Sequence, residues 1–279
     1  MRRVIYLLVF ILAASAVVAD VRAAERSAST ANITLSPKNP PAVTRMTRDM
    51  ITIEGAVTPE VAAKFAALQD QDVRTLAIYS SGGDPPSARA VGRVVHQRHL
   101  DVTVIGVCAG TCAKYIFPAG AQRVVAPGSV VAFSDSAASL SLLGSEEADP
   151  AVHTIYAAEV AADRSYYQEL GLPERLLYDP QAMMETQCYA VLRDRAGRVT
   201  DIGHSDKYRL VVFPKSYFDD IGLAVAGDWP GDPDTLQRVA LQQFRPNTPL
   251  KLLIHLNVRP LAEVQAGLRQ TKPCPASMP

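Results

Sequence analysis

Two short turns in this chain carry the residue types that acyl chemistry uses. Ser80-Ser81-Gly82-Gly83-Asp84 follows a β-rich run at 73–79, and Cys108-Ala109-Gly110-Thr111-Cys112 follows a β-branched run at 101–107. Each turn leads into a helix-forming stretch, where the first backbone amides have no intrahelical partner and carry partial positive charge. Gly82 and Gly83 have no β-carbon, so the backbone can bend sharply and a substrate can come close. Thr111 opens the second helix with its hydroxyl beside the Cys112 amide. Together Gly82, Gly83 and Cys112 could cradle a carbonyl oxygen, the device that stabilises the oxyanion of a tetrahedral or enolate species. Taken alone, a Gly-Gly pair reads as a tight turn.

The elements that must position these turns repeat one grammar of strand, tight turn and helix. Ile51, Ile53 and Gly55 alternate with Thr52 and Glu54, a strand period of two. Thr58-Pro59-Glu60 then reads as N-cap, first-turn proline and acidic first turn, opening a helix with Val61, Phe65 and Leu68 on one face. Pro85 begins a second helix carrying Ala88, Val91 and Val95. The run 101–107 is mostly β-branched, which suggests burial on both faces. Residues 113–117 read as helix up to Pro118, with short strands at 123–126 and 130–133 around Pro127-Gly128. A long helix at 152–170 ends at Gly171, a natural C-cap. A hairpin follows (186–192 and 199–202 around a turn at 194–197), then a strand at 207–213, a short helix at 215–220 stopped by Gly222, and a strand at 223–226. The pattern is an α/β layer with a parallel sheet.

The ends read differently. Arg2 and Arg3 precede an apolar run at 4–19, and Val21-Arg22-Ala23 offers a cleavage point after Ala23, the order of a secretory signal. At 16 residues the run is shorter than the roughly 20 needed to span a bilayer. Export to the periplasm or medium is expected, with no membrane attachment after cleavage. Loss of Arg2, Arg3, Arg22 and Asp20 from 28 basic and 28 acidic residues leaves a net charge of −2. With no basic stripe, nucleic acid is not an expected partner. Residues 24–46, rich in Ser, Ala, Thr and Pro, read as a flexible leader. The main domain is placed at 47–227. Pro230, Pro233, Pro246, Pro249 and Pro260 mark 228–279 as an extension of helices and irregular links, docked on the core or on a partner. At 48% hydrophobic residues the chain is a folded protein, and 4 cysteines are too few for a disulfide scaffold. In an oxidising compartment the spacing of Cys108 and Cys112 allows a disulfide, with two buried thiols as the alternative, and Cys188 can pair with Cys274. No zinc-type ligand set accompanies these cysteines, and neither metal nor cofactor is expected.

In order and spacing, three segments agree with one superfamily: Ala77-Ile78-Tyr79-Ser80-Ser81-Gly82-Gly83-Asp84, the stretch from Cys108 through Thr111 and Pro118 to Gly120, and Arg123 through Pro127-Gly128 to Phe133. From about Ile51 to Ala226 the chain resembles the Clp-protease/crotonase superfamily, and within it an exported bacterial branch. The resemblance implies a spiral of ββα units with a parallel sheet core and an outlying long helix, commonly in homo-oligomers. Its peptidases use a Ser at the helix-opening turn as nucleophile, a His after the later strand as base, an Asp further on to orient it, and amides near the Gly-Gly turn for the oxyanion. Position by position, the cradle falls on Gly82, Gly83 and Cys112. The nucleophile position is Thr111, the base position Ser134, and the orienting acid a weak match at Asp179.

The two replacements govern the expectation. A hydroxyl needs a neighbouring base to attack, and Ser134 accepts no proton at neutral pH. Losing nucleophile or base from such a unit costs on the order of 10⁶ in turnover. Lys114, three residues after Thr111, could act as a desolvated base in a Thr/Lys dyad, but a surface lysine is the plainer reading. His96, His99, His153 and His204 read as surface or structural histidines. The expected protein is a catalytically silent one that keeps the cradle to bind a carbonyl or peptide group, or keeps the fold for assembly. A hydrolase using Thr111 is the alternative. Crotonase-type acyl-CoA chemistry would need a nucleotide thioester outside the cytoplasm.

Overall fold

The computed structural model describes residues 34–36, 38–68, 70–144, 150–227, 229, 233–244 and 248–275. The signal segment 1–23, most of the leader, and the side chain of His153 lie outside the described residues. One part of the leader is ordered: Ala42–Arg45 (β1) pairs antiparallel with Met50–Glu54 (β2), because Val43 finds a buried place beside Ile53.

From β2 the sheet runs parallel through Thr75–Ser80 (β3) and Asp101–Ala109 (β4). All of β2 and nearly all of β4 is buried, the polar Thr52, Glu54, Asp101 and Thr103 included, as strands covered on both faces are. β4 bends at Gly106, whose positive φ of 87° leaves room for the Tyr79 ring; a β-carbon there would lie 2.3 Å from it. The bend divides the strand's partners. Val102–Val104 pairs with Arg123–Val125 (β5), and Val107–Ala109 pairs with Val130–Ala132 (β6). The far end of β4 is thereby aimed at the second turn.

Caps set the helix entries. Thr58 accepts from the Val61 amide at the head of Pro59–Ala67 (α1), and Asp84 accepts from the amide and hydroxyl of Ser87 at the head of Pro85–Gln97 (α2). After the second turn the chain forms a widened π-helix, Cys112–Ile116, in which the Phe117 amide reaches the Cys112 carbonyl. Ala137–Leu140 (α3) is a single turn closed by a Ser136/Ser139 capping box. The long helix Pro150–Leu170 (α4) pins the π-helix: Tyr166 donates to the Tyr115 carbonyl at 2.5 Å and Tyr167 to the Lys114 carbonyl at 2.8 Å.

Beyond Asp179–Met183 (α5), the hairpin pairs Thr186–Arg193 (β7) with Val199–Asp206 (β8), which runs four residues past the expected end because its ladder with β7 continues. The strand expected at 207–213 is only Leu210–Val212 (β9). Lys215–Asp220 (α6) forms as expected, and the strand expected at 223–226 is reduced to Ala226–Gly227 (β10) beside β5. The tail docks on the same unit. After Pro233–Gln243 (α7), Leu250–Leu252 (β11) adds in parallel to β9, and Leu261–Arg269 (α8) packs Val264 and Leu268 into the core. Cys274 is disulfide-bonded to Cys188, 86 residues away, a closure worth about 4.5 kcal/mol in the chain-entropy account. The result is a mixed α/β molecule with a mostly parallel central sheet. Among the described residues no helix is long and apolar enough to cross a membrane.

Candidate functional site

The ends of β3 and β4 meet. Gly82 and Gly83 both have positive φ, and the Val57 amide and carbonyl bracket them, donating to Gly82 O and accepting from Asp84 N, each at 2.8 Å. A β-carbon on Gly82 would lie 3.3 Å from the Thr111 nitrogen and 3.3 Å from its hydroxyl oxygen, so bare glycine lets the two turns touch. The Cys108–Cys112 disulfide, Cα atoms 5.3 Å apart and fully buried, straddles Thr111 and fixes this elbow. Its five-residue loop contributes only about 2 kcal/mol through chain entropy, so its effect is chiefly local.

The three amides of the expected cradle are not equivalent. That of Gly82 donates to Ser80 Oγ at 3.1 Å and is spent on the turn. Those of Gly83 and Cys112 donate to no acceptor among the described residues. Thr111 is 9% exposed, and its hydroxyl donates to the Gly83 carbonyl at 3.4 Å. No imidazole, amine or carboxylate lies within hydrogen-bonding distance of it among the described residues. Ser134 comes to the same place: its Oγ is 3.6 Å from where a β-carbon on Gly110 would sit, and it donates to the Asp135 carbonyl at 3.4 Å. Asp179 is turned elsewhere, accepting from Arg175 Nε at 2.6 Å and from the Tyr217 hydroxyl at 2.8 Å.

Lys114 is not the surface lysine that its spacing suggested. It is buried, because Tyr166 and Tyr167 hold the widened helix against α4, and its ammonium end donates to the Asp135 carbonyl. Desolvation lowers its pKa below the usual lysine value, against the opposing pull of Asp135 and Asp163. Lys114 Nζ and Ser134 Oγ thus share one carbonyl acceptor.

Three further groups, which sequence reasoning did not bring to the site, line a cleft beside Ser134. His204 Nε2 is 3.5 Å from Asp135 Oδ2, and His204 Nδ1 is 2.8 Å from Asp206 Oδ2, close but out of line with the ring N–H, an ion pair and not a directed hydrogen bond. Gln181 Nε2 donates to Asp206 at 3.2 Å. Asp135, pushed up by burial, is brought below its usual pKa overall by His204 and Lys114. Pairing with Asp135 and then Asp206 raises His204 to about 10. At neutral pH this imidazole is a cation and accepts no proton. The one signal available in the sequence was the pair His204 and Asp206, two apart on a strand. His96 and His99 line a separate cleft with Arg123.

The clamp on His204 has a pH signature. Its folded pKa lies above the unfolded value near 6.5, so its stabilising contribution is complete below about pH 6.5 and is lost as pH rises through about 10. Urea unfolding at fixed ionic strength should therefore show wild-type stability declining across that window and His204→Gln declining less. Equal slopes would refute the clamp.

No family model and no curated protein matches the chain. Among solved structures it is similar to a mutant ClpP1 from Listeria monocytogenes, at 16% identity and a TM-score of 0.35, over 48% of this chain and 78% of that one.

Proposed function

We propose that this is an exported, Clp/crotonase-like protein that grips a carbonyl or peptide group at the elbow through the Gly83 and Cys112 amides and does not turn it over. The family assignment rests on the three ordered motifs. The observation that carries the silence is the hydroxyl of Thr111, which points its proton at the Gly83 carbonyl and meets no base. Export is supported by Arg2 and Arg3 ahead of the apolar run at 4–19 and by two disulfides, which persist in oxidising compartments. Assembly into homo-oligomers belongs to the same reading.

A fluorophosphonate probe on the purified, disulfide-intact protein tests it. No labelling is expected, and labelling lost in Thr111→Ala would overturn the proposal. The double variant Thr111→Ser with Ser134→His should acquire esterase activity above background, since the cradle is already in place.

One observation favours the alternative of an active hydrolase: a buried amine with lowered pKa sits one turn after Thr111. In that case labelling would occur and would be lost in Lys114→Met.

A further inference from the structure

The cleft beside the elbow has a volume of about 490 Å³ and is lined by Asp135, Met184, His204, Ser205, Asp206 and Arg209. That is room for a small ligand. It lies next to the elbow: Asp135, which lines it, follows Ser134, whose hydroxyl faces the space above Gly110.

Its charges can be paired off one by one. Two cations answer its two carboxylates: His204 lies between Asp135 and Asp206, and Lys114, on the Asp135 carbonyl, also pulls down the pKa of the Asp135 carboxyl. Asp206 also accepts from Gln181. Arg209 is exposed, and its guanidinium has no acceptor among the described residues. Its backbone is nevertheless fixed, with the amide donating to the Pro249 carbonyl at 2.7 Å where the tail strand β11 joins β9. Nearby in the chain, Lys207 and Lys251 share the single carboxylate of Glu185, at 3.0 and 2.7 Å, so the rim adds no spare acid.

An unmatched guanidinium in a cleft beside a carbonyl cradle selects its ligand's charge. A carboxylate fits the planar fork of arginine with two parallel hydrogen bonds. A dianionic phosphate would bring a second negative charge toward Asp135 and Asp206. Resting on the elbow reading above, we infer that the ligand is a peptide-like molecule ending in a free carboxylate, its carbonyl in the elbow and its carboxylate on Arg209.

The test uses N-acetyl-dialanine and its C-terminal amide, titrated into the disulfide-intact protein and followed by NMR shifts. The acid should bind at least about tenfold more tightly than the amide, a ratio typical of one charged hydrogen-bonded pair. Arg209→Gln, a surface change, should bring the acid down to the amide's affinity and leave the amide unchanged. Equal affinities in the wild type, or an acid preference that survives Arg209→Gln, would overturn the role of Arg209 and leave the elbow reading standing. Binding of neither peptide would overturn the elbow reading and this inference with it.

Discussion

Replacing Arg89 by Met should lower folding stability by about 3–5 kcal/mol, the cost of leaving a buried charge without its partner. Asp163 is fully buried on α4, and its Oδ1 accepts from Arg89 at 2.6 Å and from the Tyr115 hydroxyl at 2.7 Å. Arg89 is 4% exposed on α2, with Glu159 as a second, half-exposed partner at 2.6 Å. These contacts join two helices to the π-helix that carries Lys114. Burial raises the pKa of Asp163, while Tyr115 and Arg89 pull it down. Removing Arg89 therefore pushes the carboxyl further up. A group whose folded pKa exceeds its unfolded one stabilises the fold at low pH and loses that contribution as pH rises. The deficit of the variant should accordingly be largest near pH 8 and smaller near pH 4. Urea unfolding at both values decides the matter, and a deficit below about 1 kcal/mol or one that ignores pH would show that the network carries no weight. Arg89→Met combined with Asp163→Asn should recover part of the loss, since it removes both buried charges.

The second large effect lies in the elbow itself. At Gly83, with φ of 152°, a β-carbon would fall 2.3 Å from the Val57 carbonyl oxygen and 2.5 Å from its nitrogen. Both atoms are backbone, in a fully buried residue, and both bond to the turn. Neither can move without breaking the Val57 contacts, so Gly83→Ala should cost about 3 kcal/mol or more from overpacking and the unfavourable φ. Gly128→Ala is the control. It too has a positive φ, 72°, but no atom lies within 4 Å of the added carbon, so only the conformational cost of about 1 kcal/mol is expected. Melting temperatures in one buffer separate the two cases, and equal losses would mean that the Val57 contact is not tight.

How much of this was legible beforehand differs element by element. The cap at Thr58, the helix start at Pro85, the stop at Gly171 and the helix at 215–220 were readable because each depends on residues within one turn of chain. The uniform burial of β4 followed from its β-branched run, for the same local reason. Strand ends after the hairpin were misplaced, since β8 and β9 extend only as far as their partners allow. For β9 that partner is β11, 40 positions further along the chain, and for β8 it is the full length of β7 across the hairpin.

The amino-acid sequence by itself determined that a Gly-Gly turn and a disulfide-capable Thr111 turn would each close a strand and open a helix, because torsional freedom and capping are properties of neighbouring residues. Tertiary structure alone decided what surrounds them. Lys114 became a buried amine only when Tyr166 and Tyr167, more than 50 positions away, closed over its helix. His204 became a clamped cation only when a hairpin brought it across to Asp135. Burial and ion pairing depend on which distant segments share a volume, and that information is nonlocal by nature.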